Sequence, residues 1–411
     1  MTAAAAAPPR AALTFIVATV TLDAIGIGLI FPVMPSLIVE VTGNSLSDAA
    51  LWGGLLATSF AVMQFLFGPV LGALSDRFGR RPVLLVSLAV MAADYVVLAL
   101  APTIWLLLAA RIVAGITAAT HPTAGAFIAD ITAPQDRGRR FGLIGAGFGL
   151  GFVLGPAIGG LLAGIDTRAP FWAAAALAFA NLIFGALVLP ESLPPALRRP
   201  LTLARMNPLG ALAAVARLRA LRLPLATFLL LAIAMNVYPA VWAYFGPLRF
   251  GWSEGMVGVS LALYGICFAV GQAMLVGPLI RRFGEHRAAF WGLWVDIVTL
   301  AGLGLVTAGW GALLIIPFTA LGGVVTPALQ AILSRQTPEN AQGELQGVLS
   351  SLNALAMITA PLVMTGTLSA FTAPGAPVFA PGAPFLLASV LVVGALALHV
   401  AGGRAAARAR A

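Results

Sequence analysis

The chain has 411 residues, of which 60% are hydrophobic and only 9% are charged. A soluble domain is typically about 25% charged, so this composition excludes a soluble enzyme and predicts a protein that crosses a membrane many times. The formal net charge is +9, all basic residues are arginine, and the single cysteine, Cys267, excludes an internal disulfide.

Apolar stretches long enough to cross about 30 Å of hydrocarbon as helices recur along the chain. They are predicted at 12–34, 50–71, 82–101, 104–126, 141–163, 170–189, 223–247, 256–279, 288–307, 310–333, 345–370 and 384–402. The long connection 190–222 is rich in proline and arginine. The sequence therefore predicts an all-α polytopic membrane protein with an N-terminal six-helix bundle (1–189), a central linker (190–222) and a C-terminal six-helix bundle (223–411).

The arginines give the orientation, because cytoplasmic loops are enriched in basic residues. With the N-terminus inside, twenty of the 23 arginines lie in inside segments, only Arg168 and Arg249 lie outside, and Arg111 is within a span. Both termini are therefore predicted to be cytoplasmic. The positive charge belongs to the cytoplasmic face of the membrane and does not indicate a nucleic-acid partner.

Four ionisable residues lie near the middle of apolar stretches: Asp23, Asp94, Arg111 and Asp296. Each costs about 2.5–3.5 kcal/mol at the bilayer centre unless it is paired or faces a polar cavity. One interpretation is structural ion pairing between helices. The other is a polar cavity that binds a charged ligand and passes protons, since intramembrane carboxylates mark such pathways.

A charged loop follows the second span and recurs in the second half. Gly72 is expected to allow two helices to approach closely, and Gly79 to allow a tight turn. Asp76 and three arginines, Arg77, Arg80 and Arg81, form a charged cluster. Residues 277–286 repeat the pattern 205 residues later, with Arg281 in place of Asp76. Parallel repeats of six spans are typical of transporters.

The fifth span carries a ridge of small residues that predicts tight helix packing. Its glycines are spaced by four, and a proline bends the helix by removing one backbone hydrogen bond. The residues are Gly147, Gly151, Gly155, Pro156, Gly159 and Gly160.

These motifs resemble those of the major facilitator superfamily. The spacing G-x-x-x-D-R-x-G-R-R at 72–81 is similar to its loop motif, which implies a role in latching the two halves, with a weaker latch at the second copy. The pattern G-x-x-x-G-P-x-x-G-G at 151–160 resembles the motif of proton-exchanging exporters, and Arg111 matches their fourth-helix arginine, implied to act in proton coupling.

The resemblance is more specific over about residues 13–370, where the chain looks like the tetracycline/proton antiporters of Gram-negative bacteria. The stretches that carry it include Leu22–Pro35, Asp94-Tyr95, Gly115–Thr120, Ala129-Asp130, Phe250–Trp252, Pro327–Gln330 and Gln342–Gly347. It implies that Asp23, Asp94 and Asp296 serve the drug and proton pathway, with Gln64 and Gln272 at polar positions. Two departures are Phe268, where some members have histidine, and His121, where members usually have a small residue. His121 is either a packing residue on an apolar helix or a residue of the proton and substrate pathway, and we count it among the pathway candidates.

The implied activity is export of tetracycline from the bacterial inner membrane in exchange for protons by alternating access. Tetracycline travels as a complex with a divalent cation, so Mg²⁺ is expected as part of the substrate. No permanent cofactor, no metal held by the protein alone, no enzymatic activity and no obligate protein partner is expected. In this hypothesis Asp23 and Asp94 shape the substrate path, and Asp296 is the main switch between proton and substrate.

Two alternatives remain open. The first is a proton-coupled exporter of another amphipathic compound, such as chloramphenicol, a quinolone or a metabolite, because relatives share the same motifs. The second is a non-transporting protein with the same fold, since a fold does not determine a function.

Overall fold

The computed structural model describes residues 10–202, 206–208, 210 and 221–408. These residues form helices and no strand, since a helix satisfies its backbone hydrogen bonds within one segment. The helices are α1 (Arg10–Ile30), α2 (Met34–Thr42), α3 (Leu46–Phe78), α4 (Arg80–Leu100), α5 (Ile104–Ile116), α6 (Thr120–Asp130), α7 (Arg137–Ala163), α8 (Ala169–Val188), α9 (Arg222–Met235), α10 (Val237–Phe250), α11 (Glu254–Met274), α12 (Val276–Phe283), α13 (Glu285–Leu305), α14 (Gly309–Gly322), α15 (Val325–Arg335), α16 (Gln342–Ala370) and α17 (Ala383–Arg408).

Twelve helical stretches of the described chain are long and apolar enough to cross a membrane. They are formed by α1, α3, α4, α5–α6, α7, α8, α9–α10, α11, α13, α14–α15, α16 and α17. The predicted all-α fold with twelve transmembrane helices is confirmed. Helix α3 extends past the stretch predicted at 50–71 because its polar ends remain helical beyond the apolar part.

The helix breaks follow the sequence repeat. Helix α1 ends just before Phe31 and α9 ends just before Asn236, while α5 and α6 are separated around Ala118 and α14 and α15 around Gly323. In both pairs the second break lies 205 residues after the first, which is the separation of the two loop copies. The halves therefore repeat in helix geometry as well as in sequence.

The chain forms two compact units. The first comprises Met1–Leu37 and Val62–Pro208, and the second comprises Ile38–Ala61 and Leu209–Ala411. The predicted domain boundaries place all of 1–189 together, whereas here Ile38–Ala61 packs with the C-terminal helices. The contacts that hold it are hydrogen bonds from Ser47 Oγ to Thr372 O (3.0 Å) and from Thr58 Oγ1 to Ile358 O (3.0 Å), and the packing of Gly53 against Tyr244.

The predicted linker 190–222 is described only in part, since residues 203–205, 209 and 211–220 lie outside the described residues. Its first residues return to the first unit, where Arg199 N donates to Asp76 O at 3.0 Å. The predicted boundaries of the domains remain a prediction.

Candidate functional site

Asp94 on α4 and Arg111 on α5 form an ion pair through Asp94 Oδ2 and Arg111 Nη2. Their side chains are only 4% and 14% exposed. The pair lies in the first unit, and it brings together two of the four intramembrane charges noted in the sequence. A buried charge is tolerated when an opposite charge compensates it, so this carboxylate and this guanidinium stabilise each other.

Asp23 on α1 lies near Tyr95, the residue that follows Asp94. Tyr95 is buried and within electrostatic range of Asp23, and its hydroxyl packs against Gly26, one turn after Asp23. The Oδ1 atom of Asp23 is buried and accepts no hydrogen bond from the described residues. Of the two intramembrane aspartates in the first unit, Asp94 has an ion-pair partner and Asp23 forms no ion pair with the described residues.

Asp296 on α13 is 4% exposed and lies against the break between α14 and α15. Its carboxylate occupies the space that a side chain at Gly322 would fill. At the same break, Gln272 Nε2 on α11 donates to Gly323 O at 3.0 Å. The structure thus brings together Asp296 and Gln272, and the missing side chains at Gly322 and Gly323 make room for both.

Two tyrosines lie near Asp296, and a phenylalanine extends their stack. Tyr238 and Tyr264 stack with ring centroids 5.4 Å apart, and both lie within electrostatic range of Asp296. Phe268 stacks on Tyr264 at 6.0 Å and packs against Gly323. Phe268 therefore lies at the break between α14 and α15, beside the tyrosines.

The sequence analysis missed the tyrosines. The chain has only four, and three of them, Tyr95, Tyr238 and Tyr264, lie beside the intramembrane carboxylates. Their rarity in such an apolar chain is the signal that would have identified them. A tyrosine hydroxyl can donate to or accept from a carboxylate, so these residues add polar capacity to otherwise apolar surroundings.

The break between α5 and α6 is stabilised in the same way as the break between α14 and α15. Ser87 Oγ on α4 donates to Thr117 O at 2.7 Å, as Gln272 does to Gly323 O. A helix break frees carbonyl groups that need a donor inside a membrane. A side chain from a neighbouring helix supplies that donor in each half.

His121, four residues after Thr117, begins a row of aromatic rings in the first unit. Its ring meets Phe148 edge-on at 5.6 Å, Phe148 stacks on Phe152 at 6.2 Å, and Phe152 meets Phe31 edge-on at 6.4 Å. His121 and Phe148 are both exposed. A histidine within a membrane span is costly where it faces hydrocarbon, so His121 stays a predicted candidate for the proton and substrate pathway.

The glycine ridge of α7 packs against α1. A methyl group at Gly147 would meet Thr21 Oγ1 at 2.6 Å, and one at Gly155 would meet Ile25 O at 2.7 Å. Gly151 lies between them against Ala24, and Gly159 further along against Leu29. Pro156 and Gly160 are buried in the same helix. The predicted tight packing is present, and the helix held by the ridge is the one that carries Asp23.

Arg80 organises the charged loop at 72–81. Its Nη1 donates to Asp76 Oδ1 at 2.7 Å and to Ser75 Oγ at 3.1 Å, and its Nε donates to Asp130 Oδ2 at 2.9 Å. Arg81 Nη2 donates to Ala186 O at 2.7 Å. The loop therefore ties the end of α3 to the ends of α6 and α8.

Glu191, which the sequence analysis did not single out, caps α4. Its two carboxylate oxygens accept from Arg80 N at 2.8 Å and Arg81 N at 3.3 Å. A carboxylate is favourable at a helix N-terminus because it pairs with unsatisfied backbone donors. Gly79 has φ 110°, and a side chain there would meet the Glu191 carboxylate. Gly79 is thus required both for its backbone conformation and for the close approach of Glu191.

The other predicted loop residues differ in their surroundings. Gly72 is exposed, and a methyl group there would meet no atom of the described structure within 4 Å. The expectation that Gly72 permits a close helix approach is wrong for the first unit, because no atom of its described residues lies close to that position. Arg77 is exposed, and Gln64 is half-buried on α3. The structure does not assign either of them to the carboxylate clusters.

Arg168 and Arg249, the two arginines predicted to lie outside, bind the C-terminal ends of the two helices that carry Asp94 and Asp296. Arg168 Nη1 donates to Ala99 O at 2.8 Å, at the end of α4, and Arg249 Nε donates to Val306 O at 2.9 Å, just after α13. Cations are favourable at helix C-termini. Each half therefore fixes the far end of its carboxylate-bearing helix with an arginine.

Comparisons with known proteins agree on one family. A family model described as Major Facilitator Superfamily matches residues 16–361 and 223–409. The class C tetracycline resistance protein of Escherichia coli is 47% identical over 359 residues, covering 87% of this chain and 90% of that protein. The class G protein of Vibrio anguillarum is 41% identical over 358 residues, covering 85% and 88%.

Solved structures match the fold over nearly the whole chain. The human organic anion transporter MFSD10 (TETRAN) has a TM-score of 0.69 and 26% identity, covering 95% of this chain and 99% of that chain. The nucleoside transporter NupG has a TM-score of 0.75 and 13% identity, covering 95% and 98%, and this likeness concerns the fold alone.

Proposed function

The chain is a member of the Major Facilitator Superfamily, and from that membership we propose that it exports tetracycline, as a complex with a divalent cation, in exchange for protons. Its similarity to tetracycline resistance proteins supports tetracycline as the substrate. The protein is a transporter, without an enzymatic step. The proposal places it in the bacterial inner membrane with both termini in the cytoplasm, which the distribution of arginines supports.

The observation that carries the proposal is the difference between the buried carboxylates. Asp94 is compensated by Arg111, whereas Asp296 and Asp23 form no ion pair with the described residues. An ionised carboxylate in a low-dielectric site needs a positive partner. A proton or a cationic substrate can supply that positive charge at Asp296.

Antiport follows if only one of the two cations binds at a time. Asp296 lies against Gly322 beside Gln272, so its oxygens are confined to a small space. In the proposed cycle the metal–tetracycline complex binds to the deprotonated carboxylate and a proton displaces it. The inward proton gradient then drives the drug outward. Mg²⁺ is carried with the drug, and no permanent cofactor takes part.

Gating is proposed to involve the loop at 72–81 during alternating access. Arg80 connects Asp76 and Asp130 through charge-assisted hydrogen bonds, which are stronger than neutral ones. Breaking and reforming this network would accompany the change between inward- and outward-open states. The ridge on α7 keeps α1 in a fixed position relative to its neighbour during that change, because its glycines contact the α1 backbone.

Export of another planar amphipathic compound is the second candidate. His121 and the exposed Phe148 present an aromatic surface that a small residue at 121 would not provide. Aromatic rings attract planar ligands by stacking. This surface favours a substrate range that differs from that of the tetracycline resistance proteins.

A resistance profile separates the two candidates. We would express the wild-type protein, Asp296→Asn and His121→Ala in a drug-sensitive bacterium and challenge the cells with tetracycline, chloramphenicol and a quinolone. The proposal predicts resistance to tetracycline that Asp296→Asn abolishes and His121→Ala leaves largely in place. Resistance to another compound alone, lost in His121→Ala, would support the second candidate and contradict the first.

A further inference from the structure

An ion pair in the second unit joins the ends of two neighbouring helices. Arg335 Nη2, on the last residue of α15, lies 2.7 Å from Glu285 Oε1, on the first residue of α13. The Glu285 side chain is 16% exposed and the Arg335 side chain 74% exposed. The helices that the pair joins are the one that carries Asp296 and the one that follows the break at Gly323.

The first unit has an ion pair at the corresponding places with the opposite signs. Arg80 is the first residue of α4 and Asp130 the last residue of α6, and they are 2.9 Å apart. Glu285 lies 205 residues after Arg80, and Arg335 lies 205 residues after Asp130. This is the separation that relates the two loop copies and the two sets of helix breaks.

The reversal extends to a third position. Asp76, which pairs with Arg80 at 2.7 Å, is replaced 205 residues later by Arg281. The three charges of the network formed by Asp76, Arg80 and Asp130 are therefore reversed in the second half: aspartate to arginine at 76 and 281, arginine to glutamate at 80 and 285, and aspartate to arginine at 130 and 335. The three reversals together keep opposite charges at corresponding positions, and among the described residues the pair that forms an ion pair in the second unit is Glu285 with Arg335.

We propose that Glu285 and Arg335 are positioning residues that form a second, charge-reversed latch. The latch holds the start of α13, which carries Asp296, against the end of α15, which follows the break at Gly323. It replaces the expectation of a weaker latch based on Arg281 alone. The inference deepens the proposed function, because it assumes that the loop at 72–81 acts as a gate in the same transporter.

Charge reversal tests the pair directly. The variants are Glu285→Arg, Arg335→Glu and the double variant that exchanges the two charges. The control is Arg287→Glu, which reverses an exposed arginine on α13, the helix of Glu285. Exposed pairs contribute modestly, so each single reversal is expected to lower the maximal rate of drug uptake into inverted vesicles by about three- to tenfold. The double variant is expected to recover to within about twofold of wild type.

Two further quantities, KM for the drug and the amount of protein in the membrane, distinguish loss of the latch from general damage to the protein. KM for the drug and the amount of protein in the membrane should stay within about twofold of wild type in all variants, because the pair positions helices without contacting the substrate. A double variant no more active than the single reversals would overturn the proposal. Single reversals that transport like wild type and like Arg287→Glu would also overturn it.

Failure of the proposed function gives a different pattern. In that case the wild-type protein itself moves no tetracycline. The same four variants are then compared by thermal unfolding in detergent, where a positive coupling between Glu285 and Arg335 in the double-mutant cycle supports the latch. A coupling of zero there contradicts it.

Discussion

Asp94 and Arg111 neutralise each other inside the first unit, and this pairing leads to a prediction about stability. Asp94→Asn or Arg111→Gln alone leaves one buried charge without its ion-pair partner, and loss of one partner of a buried pair costs about 3–5 kcal/mol. The double variant removes both charges and is expected to be more stable than either single variant. Thermal unfolding of the four purified proteins in detergent measures this.

Equal stability of the single and double variants would contradict that coupling. The cycle also separates structural from transport roles, because a stable double variant that no longer transports would assign the charges to the pathway.

The sequence left this choice open, since ion pairing and a transport cavity both explain intramembrane charges. The structure shows pairing for Asp94 and no ion pair for Asp296 among the described residues.

The sequence identified the intramembrane charges because lone ionisable residues are conspicuous in apolar spans. It did not identify which carboxylate pairs with Arg111, because that choice depends on how α4 and α5 are rotated about their axes. Tyr238 and Tyr264 were missed for a related reason. The chain has only four tyrosines, but their rarity does not show which of them the fold brings to Asp296.

The glycine ridge on α7 supports a prediction at the level of helices. A methyl group at Gly151 would meet Thr21 O at 2.5 Å and Ala24 Cβ at 2.7 Å, whereas one at Gly149 would meet nothing of the described structure within 4 Å. Gly151→Ala should therefore destabilise the packing of α1 on α7 by about 1–3 kcal/mol. Gly149→Ala should be neutral or stabilise the helix by about 0.5–1 kcal/mol, because alanine favours helix.

The measurement is the midpoint of thermal unfolding in detergent, with drug uptake measured in parallel. Gly151→Ala should lower both quantities, since α1 carries Asp23. Gly149→Ala is the matched control on the same helix. Similar losses in the two variants would show that helix propensity, not contact with α1, accounts for the effect.

Features of a single helix could be predicted where the sequence pattern that produces them lies within that helix. The four-residue spacing of glycines identifies a smooth face on α7, but not α1 as its partner. Glu191 was missed because it lies in a proline-rich segment that resembles a simple connection, and its partner Arg80 is 111 residues earlier. Gly72 was misjudged because a glycine in a motif does not by itself indicate an adjacent helix.

At the scale of the whole molecule, the recurring apolar stretches predicted twelve spans, and the positions of arginine predicted their orientation. The repeat of 205 residues predicted two related halves, and it also relates the helix breaks at Ala118 and Gly323. The sequence could not predict that Ile38–Ala61 packs with the C-terminal helices, because that depends on contacts such as Thr58 with Ile358, 300 residues apart.

The central claim is that Asp296 exchanges a proton for a metal–tetracycline complex. The most direct measurement is tetracycline uptake into inverted membrane vesicles with an imposed proton gradient, with and without Mg²⁺. The variants are Asp296→Asn and, as a matched control, Glu339→Gln, which changes an exposed acidic residue between α15 and α16. Uptake in the wild type and the control should require both the gradient and Mg²⁺, and Asp296→Asn should abolish it with normal protein in the membrane. Gradient-driven uptake that persists in Asp296→Asn would contradict the account.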